Sequence, residues 1–311
     1  MRVVIAGGHG KIALLLERLL AERGGQAVGL IRNPAQAADV RKAGAEAVLC
    51  DLEAASAEDV AALLSGADAV VFAAGAGPGS GAARKDSVDR AASVLMADAA
   101  ERAGVRRFVQ VSSMGAGSPP RPGSDEVWAA YITAKTAAEA DLRARDLDWT
   151  ILRPGGLTDA PATGQIRLAP PPVPAGKVPR ADVAAVIAAL LDHPGTRHQT
   201  LELTSGDSPV ATAVQHLSLS GLTLITRDAY QGANRADPDR PEAPPAAVLK
   251  QATELKRRPI TMLAIIALVV IAIVALIVLS AAVHILFSPL VLLVGIGVLA
   301  WIKFRPRRSH R

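Results

Sequence analysis

The sequence predicts an α/β fold, a doubly wound parallel sheet, followed by a C-terminal pair of membrane-spanning helices. Three observations lead there. Short apolar runs alternate with helical patterns from the first residues to about residue 204. A glycine-rich turn separates the first run from the first helical pattern. Past residue 258 the chain becomes almost unbrokenly apolar, with basic residues on either side.

The apolar runs place strands over 3–6, 27–31, 47–50, 69–73, 108–112, 149–152 and 201–204. Helical patterns fall over 11–23, 35–43, 57–64, 87–103, 127–145 and 181–191. Strands buried on both faces read as continuous apolar runs, and strand–helix alternation produces a parallel sheet covered on both sides. Ligands in such sheets sit beyond the C-terminal strand ends, where the strand order reverses. Candidate residues are therefore sought just after each strand.

After the first strand (Val3, Val4, Ile5) come Gly7, Gly8 and Gly10, and then the helix-forming run from Lys11. The spacing Gly7-x-x-Gly10-x-x-Ala13 brings backbone close to a pyrophosphate, and the free N–H groups and dipole of the helix favour its charge. The second strand ends in Arg32-Asn33-Pro34. An acidic residue at this point holds a ribose 2′-hydroxyl, whereas an arginine pairs with a 2′-phosphate, so Arg32 favours NADP and leaves NAD as the alternative. The third strand ends at Cys50-Asp51-Leu52, where Asp51 either contacts an adenine edge or caps the next helix. The fourth runs into Ala73-Ala74-Gly75, small residues over which a dinucleotide can lie. The Gly79-Ser80-Gly81 stretch beyond is a mobile loop near the substrate or a plain connector.

The fifth strand ends at Ser112-Ser113. Eighteen residues after Ser113 stand Tyr131 and Lys135, four apart and so on one helix face. A lysine beside a tyrosine stabilises the phenolate, so the phenol can exchange a proton with a substrate oxygen. Ser112 or Ser113 is placed to hydrogen-bond the same oxygen.

Taken together, the chain resembles the short-chain dehydrogenase/reductase superfamily, and more closely its atypical, NmrA-like NAD(P)-binding group. The resemblance rests on Val4-Ile5-Ala6-Gly7-Gly8-His9-Gly10-Lys11-Ile12, Arg32-Asn33-Pro34, Ala73-Ala74-Gly75, Ala103-Gly104-Val105-Arg106-Arg107-Phe108-Val109, Val111-Ser112-Ser113, Tyr131-x-x-x-Lys135, Trp149-Thr150-Ile151-Leu152-Arg153-Pro154-Gly155 and Arg180-Ala181-Asp182-Val183-Ala184. It spans residues 1 to about 210 and implies a Rossmann-type doubly wound sheet. It further implies that Gly7, Gly8, His9, Gly10, Lys11 and Ile12 bind pyrophosphate and Arg32 the 2′-phosphate. Asp51, Leu52, Ala74 and Gly75 line the cofactor, and Pro154, Gly155 and Gly156 border the nicotinamide. Ser112 or Ser113 and Tyr131 face the substrate oxygen, and Lys135 also holds the nicotinamide ribose. Two departures stand out: Ala13 replaces the third glycine, and the 87–103 helix lacks the asparagine that many active members use in a proton relay.

Composition narrows the reading further. Aromatic residues make up 3% of the chain, too few for a stacking surface on single-stranded nucleic acid, so no nucleic-acid partner is expected. The single cysteine, Cys50, suits a reducing compartment. The chain enters a core strand at once, so no cleavable signal peptide is expected. His193, His198 and His216 have no metal-ligand spacing, and no metal is expected.

Residues 260–287 are apolar apart from Thr261, Ser280 and His284; Ser288-Pro289 interrupts, and 290–302 is apolar again. A bilayer core takes about 20 residues per helix, so two spans joined by a turn are expected. Lys256-Arg257-Arg258 before them and the basic stretch from Lys303 to Arg311 after them put both ends on the cytoplasmic side. The expected domains are a cofactor domain over 1–215, a linker over 216–258, a transmembrane hairpin over 259–304 and a basic cytoplasmic tail over 305–311. The resulting expectation is a multi-pass protein of the cell membrane with its cofactor domain in the cytoplasm. It acts as an NADP-dependent oxidoreductase on an unidentified carbonyl or hydroxyl compound. The alternatives are a non-catalytic NADP(H) sensor and a nucleotide-sugar epimerase-like enzyme.

Overall fold

The computed structural model describes residues 1–77, 79–120 and 123–217. The chain divides into two units between Ala233 and Asn234, and the described residues belong to the first. The N-terminal half runs β1 (Arg2–Ala6), α1 (Lys11–Glu22), β2 (Gln26–Ile31), α2 (Ala37–Lys42), β3 (Glu46–Leu49), α3 (Ala57–Leu64) and β4 (Ala69–Phe72). A short α4 (Ala82–Arg84) passes through a π-helical turn (Lys85–Ala91) into α5 (Ala92–Ala103), which leads to β5 (Arg107–Val111), α6 (Glu126–Arg143) and β6 (Asp148–Pro154). Then come β7 (Gly156–Thr158), β8 (Gln165–Ala169), β9 (Lys177–Pro179), α7 (Arg180–Asp192), β10 (Gln199–Ser205) and β11 (Ser208–Pro209).

The main sheet has the order β11-β8-β10-β6-β5-β4-β1-β2-β3. Every pairing from β3 through to β10 is parallel. The order reverses between β1 and β4, and all of Val3 to Ala6 in β1 is inaccessible to solvent. One face carries a core of Leu16 and Leu20 from α1, Val40 from α2 and Val183 and Ile187 from α7. The other carries Val60 and Leu64 from α3, Met96 from α5 and Leu142 from α6. Each such fully buried side chain stabilises the fold by about 1.5–3 kcal/mol. The continuous apolar runs of the central strands follow from this covering of both faces.

The structure departs from the sequence expectation in three places. The 87–103 helix begins earlier, at Ala82, because Gly81 serves as N-cap and the π-helical turn accommodates Lys85 to Ala91 without a break. Four short strands appear in or beside the proline-rich 155–179 stretch: β7 and β9 pair in parallel, β8 runs antiparallel to β10, and β11 antiparallel to β8. Only β8 shows a period of two, with Ile166 and Leu168 buried and Arg167 exposed, and five residues are too few to stand out. Cys50 lies just past β3, although its N–H still donates to Ile31 O at 2.8 Å. Among the described residues no helix is long and apolar enough to cross a membrane. The hairpin expected over 259–304, the basic tail and most of the linker lie outside the described residues.

Glu17, on the inner face of α1, is wholly buried, and neither carboxyl oxygen has a hydrogen-bond partner among the described residues. It fills the space left by two glycines: a Cβ on Gly8 or Gly29 would stand 3.1 or 2.5 Å from Glu17 Oε1. Burial pushes this carboxyl up from 4.5 to about 8. Between these values the folded chain keeps a proton that the unfolded chain has released, so the group lowers stability progressively as pH rises from 4.5 to 8. The total is on the order of a few kcal/mol. Glu17→Gln is expected to flatten this part of the pH–stability curve. Chemical unfolding at a series of pH values checks it, and an unchanged slope would mean that Glu17 is already ionised.

Candidate functional site

An open cleft of about 290 Å³ lies at the C-terminal ends of β1 to β4, where the strand order reverses. Gly7, His9, Gly10, Arg32, Asp51, Leu52, Ala74 and Gly75, all singled out from the sequence, line it, together with Gln36, Glu53, Arg84 and Val88. Gly7 has φ +77°, and a Cβ there would stand 2.7 Å from Ala74 Cα. The Gly10 N–H donates to Gly7 O at 2.8 Å and closes the turn. Gly10 is also the N-cap of α1, with no side-chain cap and no acidic residue in the first turn. The first N–H groups of α1 are thus left for a ligand, as an anion site needs.

Gly8 has a different part: its backbone packs on Gly29, where a Cβ would come within 2.6 Å of Gly29 Cα. It therefore lets the turn rest on β2 and does not line the cleft. His9 Nε2 meets Asp39 Oδ2 at 2.9 Å, and the exposed Lys11 Nζ donates to Asp159 Oδ2 at 2.6 Å. Ile12 is partly buried against the α1/α7 core. Asp51 accepts the Glu53 N–H at 3.1 Å, so it shapes the turn after β3 while facing the cleft. Arg32 is 53% exposed and lies 3.4 Å from Glu53, which also accepts from Arg84 at 2.6 Å and Ser87 Oγ at 2.7 Å. A carboxylate thus holds two guanidinium groups at the cleft edge. Glu53 and Arg84 were missed by sequence reasoning because the turn after β3 and the short α4 that carry them have no motif of their own.

Beyond Gly75 the site continues toward α6. Asp89, in the π-helical turn, accepts the Ala76 N–H at 3.2 Å and lies 3.2 Å from Lys135 Nζ. Lys135 also donates to Val111 O at 3.1 Å. Tyr131 stands one turn before it, with Lys135 Nζ 5.8 Å and Lys85 Nζ 5.3 Å from its ring centroid. Trp128 packs against the tyrosine at 5.4 Å between centroids. The Tyr131 hydroxyl has no hydrogen-bond partner among the described residues. The 87–103 helix indeed offers no asparagine, but it brings Asp89 to Lys135 instead. The sequence signal was present: Lys85 and Asp89 extend the buried stripe of Ala92, Met96 and Ala100.

The two serines part company. Ser112 is buried and donates to Glu139 Oε1 at 2.6 Å, so its hydroxyl is committed to the interior. Ser113 is partly buried and donates to Met114 O at 3.2 Å. The turn it opens lies against α6, where the Gly117 N–H donates to Thr136 Oγ1 at 2.9 Å. Glu139 is wholly buried and also accepts from Arg153 at 2.8 and 2.5 Å and from Arg143 at 2.7 Å. Burial alone would raise this carboxyl, but the hydrogen bonds from Arg153 and Ser112 outweigh it and hold it below the usual value. Tyr131, Lys135 and Glu139 recur every four residues, so this network locks the helix face that carries the tyrosine. Pro154 ends β6 and accepts from Met114 N at 3.0 Å; the Gly155 N–H donates to Leu203 O at 2.8 Å.

The cradle, the uncapped helix and the arginine at the cleft edge fit a dinucleotide: Gly7, Gly10 and the start of α1 its pyrophosphate, Asp51 and Leu52 its adenosine end, Ala74 and Gly75 its course toward Tyr131. Gly7→Ala puts a methyl group into Ala74 and forces φ +77° on a residue with a Cβ. NADPH affinity is expected to fall at least tenfold and stability by about 1–3 kcal/mol. Nucleotide titration and thermal unfolding check this, and an unaltered affinity would mean that the turn is not the phosphate cradle.

Residues 7–194 match the NAD(P)H-binding family model. A Bacillus subtilis protein named as an uncharacterized sugar epimerase, YhfK, is 36% identical over 70% of this chain and its own full length. A solved structure from Bacillus halodurans, named for an NAD-dependent epimerase/dehydratase, is 35% identical, covers 70% of this chain and 99% of its own, and superposes with a TM-score of 0.64. The Escherichia coli O157:H7 protein ChuY, named an anaerobillin reductase, is 29% identical over 67% of this chain and 98% of its own, with a TM-score of 0.56. With its glycine cradle at the reversal of a parallel sheet, the chain belongs to the NAD(P)H-binding family of Rossmann-type epimerases and reductases.

Proposed function

We propose that the chain is a membrane-tethered, NADP-dependent oxidoreductase of the short-chain type that interconverts a carbonyl and a hydroxyl group. The observation that carries this reading is Tyr131: its hydroxyl is unengaged among the described residues, while two buried ammonium groups lie 5.3 and 5.8 Å from its ring centroid. When bound, a nicotinamide would supply or accept hydride at the substrate carbon, with Ala74 and Gly75 holding the cofactor's course toward Tyr131. Tyr131 gives or takes the proton at the substrate oxygen. Lys135 is kept in place by Val111 O and Asp89. Ser113 is the serine left to orient the substrate oxygen, since Ser112 serves Glu139. Arg32 is the group for a 2′-phosphate, which would draw it from its loose 3.4 Å pairing with Glu53.

The tether rests on the sequence alone. Two apolar stretches over 259–304 lie between basic clusters, which supports a hairpin in the bilayer with the cofactor domain on the cytoplasmic side. The full chain is then expected to remain with membranes through a carbonate wash; release would remove the tether from the reading. A second reading, an epimerase-like enzyme, is favoured by the name of the Bacillus subtilis relative. It requires cofactor that stays bound through purification.

The deciding experiment uses the full chain in detergent, titrated with NADPH and NADH. Arg32→Ala is expected to weaken NADPH about ten- to a hundredfold and leave NADH unchanged, the scale of a lost charge-assisted hydrogen bond. In a panel of carbonyl substrates, Tyr131→Phe is expected to lower turnover about 10²–10⁴-fold with NADPH affinity intact. Absence of NADPH binding, or turnover indifferent to Tyr131→Phe, would overturn the reading.

A further inference from the structure

Three lysine and arginine side chains follow one another closely in the segment between β4 and α5, and two of them have carboxylate partners. Arg84 is held by Glu53 at 2.6 Å, and Arg90 by Asp86 at 2.5 and 2.7 Å. The third, Lys85, does not. It is 8% exposed, yet its Nζ makes one hydrogen bond, to Gly77 O at 2.8 Å, and has no carboxylate within ion-pair distance among the described residues. The buried carboxylate four residues on, Asp89, is taken by Lys135 at 3.2 Å. An ammonium has three donors, and a buried charge without a counter-charge is costly. Retention of such a charge points to a partner that arrives with a ligand.

The position of Lys85 says which ligand. Its Nζ stands 5.3 Å from the Tyr131 ring centroid and does not line the cleft that takes the adenosine and pyrophosphate end of the cofactor. Trp128 lies beside the same tyrosine and is 47% exposed, and Val127 next to it is exposed as well, so the approach to Tyr131 has an apolar border. We propose that Lys85 binds an anionic oxygen group of the substrate, a carboxylate or phosphate close to the reacting carbonyl, and that Trp128 covers an apolar part of the same molecule. The substrate class is thus an apolar or aromatic carbonyl compound carrying one anionic group near the reacting carbon. This rests on the reading of Tyr131 as the substrate-facing acid/base. Lys85 supplies charge complementarity and orientation and exchanges no proton itself.

The test uses the full chain in detergent, saturated with NADP⁺, and isothermal titration with phenylacetate, phenyl phosphate and the neutral phenylacetamide. At least one anion is expected to bind ten- to a hundredfold more tightly than the amide, the range of a charge-assisted hydrogen bond in a buried site. The better anion tells carboxylate from phosphate. Lys85→Met is expected to erase that preference and Lys85→Arg to keep part of it, with NADP⁺ affinity unchanged within about twofold in both. Equal binding of anions and amide by the wild-type chain would overturn the proposal and leave Lys85 an anchor for the Gly77 loop; this comparison needs no variant to fold. A preference that survives Lys85→Met would overturn it too, as would a parallel loss of NADP⁺ affinity, which would assign the lysine to the cofactor. Failure of the wild-type chain to bind NADP⁺ at all would instead sink the oxidoreductase reading on which the inference stands.

Discussion

Where α1 leaves the sheet, the backbone of the glycine turn touches the backbone of two strands with no side chain between them. Gly7 lies against Ala74 at the end of β4, and Gly8 against Gly29 in β2. These contacts set the height of the turn above the sheet and point the open end of α1 over the reversal between β1 and β4. The cleft exists because nothing larger than hydrogen occupies these positions. The same close approach explains Glu17, whose carboxyl occupies the room that side chains on Gly8 and Gly29 would otherwise need. Burial of that carboxyl without partners makes the cradle's support sensitive to pH, a cost tolerated where packing is tight and the proton stays on.

The second half of the site is organised by charge. Glu139 gathers Ser112, Arg153 and Arg143, joining α6 to the end of β5 and to β6. A buried network whose members are all paired rigidifies what it joins. The helix face fixed in this way carries Lys135 and Tyr131 toward the ends of β4 and β5. There Asp89 pairs with one lysine, Lys135, while the other, Lys85, has no carboxylate partner among the described residues. The glycine cradle is thus made of backbone, and the α6 end of the site of side-chain charge. That division suits the proposed tasks, because pyrophosphate would be recognised by N–H groups and a fixed dipole, whereas proton exchange would need a titratable group held among charges.

The cleft edge shows the same economy. Glu53 holds Arg32 and Arg84 together and also receives Ser87. Were a 2′-phosphate to bind at Arg32, as proposed, it would compete with this carboxylate for the arginine pair, a difference between two anions.

The sequence by itself determined the parallel sheet, because strands covered on both faces must be continuously apolar and the intervening helices must supply one apolar face each. It also determined the cradle and the Tyr131–Lys135 pair, because a glycine turn and a spacing of four are local facts that the backbone turns into geometry unaided. The arginine at the end of β2 belongs with them as a position at the cleft, since strand ends are legible from periodicity. What only the tertiary structure decided are the partners across elements. Ser112 and Glu139 are 27 residues apart, and Glu53 and Arg84 are 31 apart. No local period relates them. Ser112 was indistinguishable from Ser113 as a substrate contact until α6 was laid against the end of β5. Lys85 and Asp89 were given no role by the sequence reading, and only the π-helical turn shows that both are buried. The physical reason is the same in each case. Local patterning encodes which face of an element is buried, but a charged side chain on that face takes its meaning from the groups the packing brings opposite it.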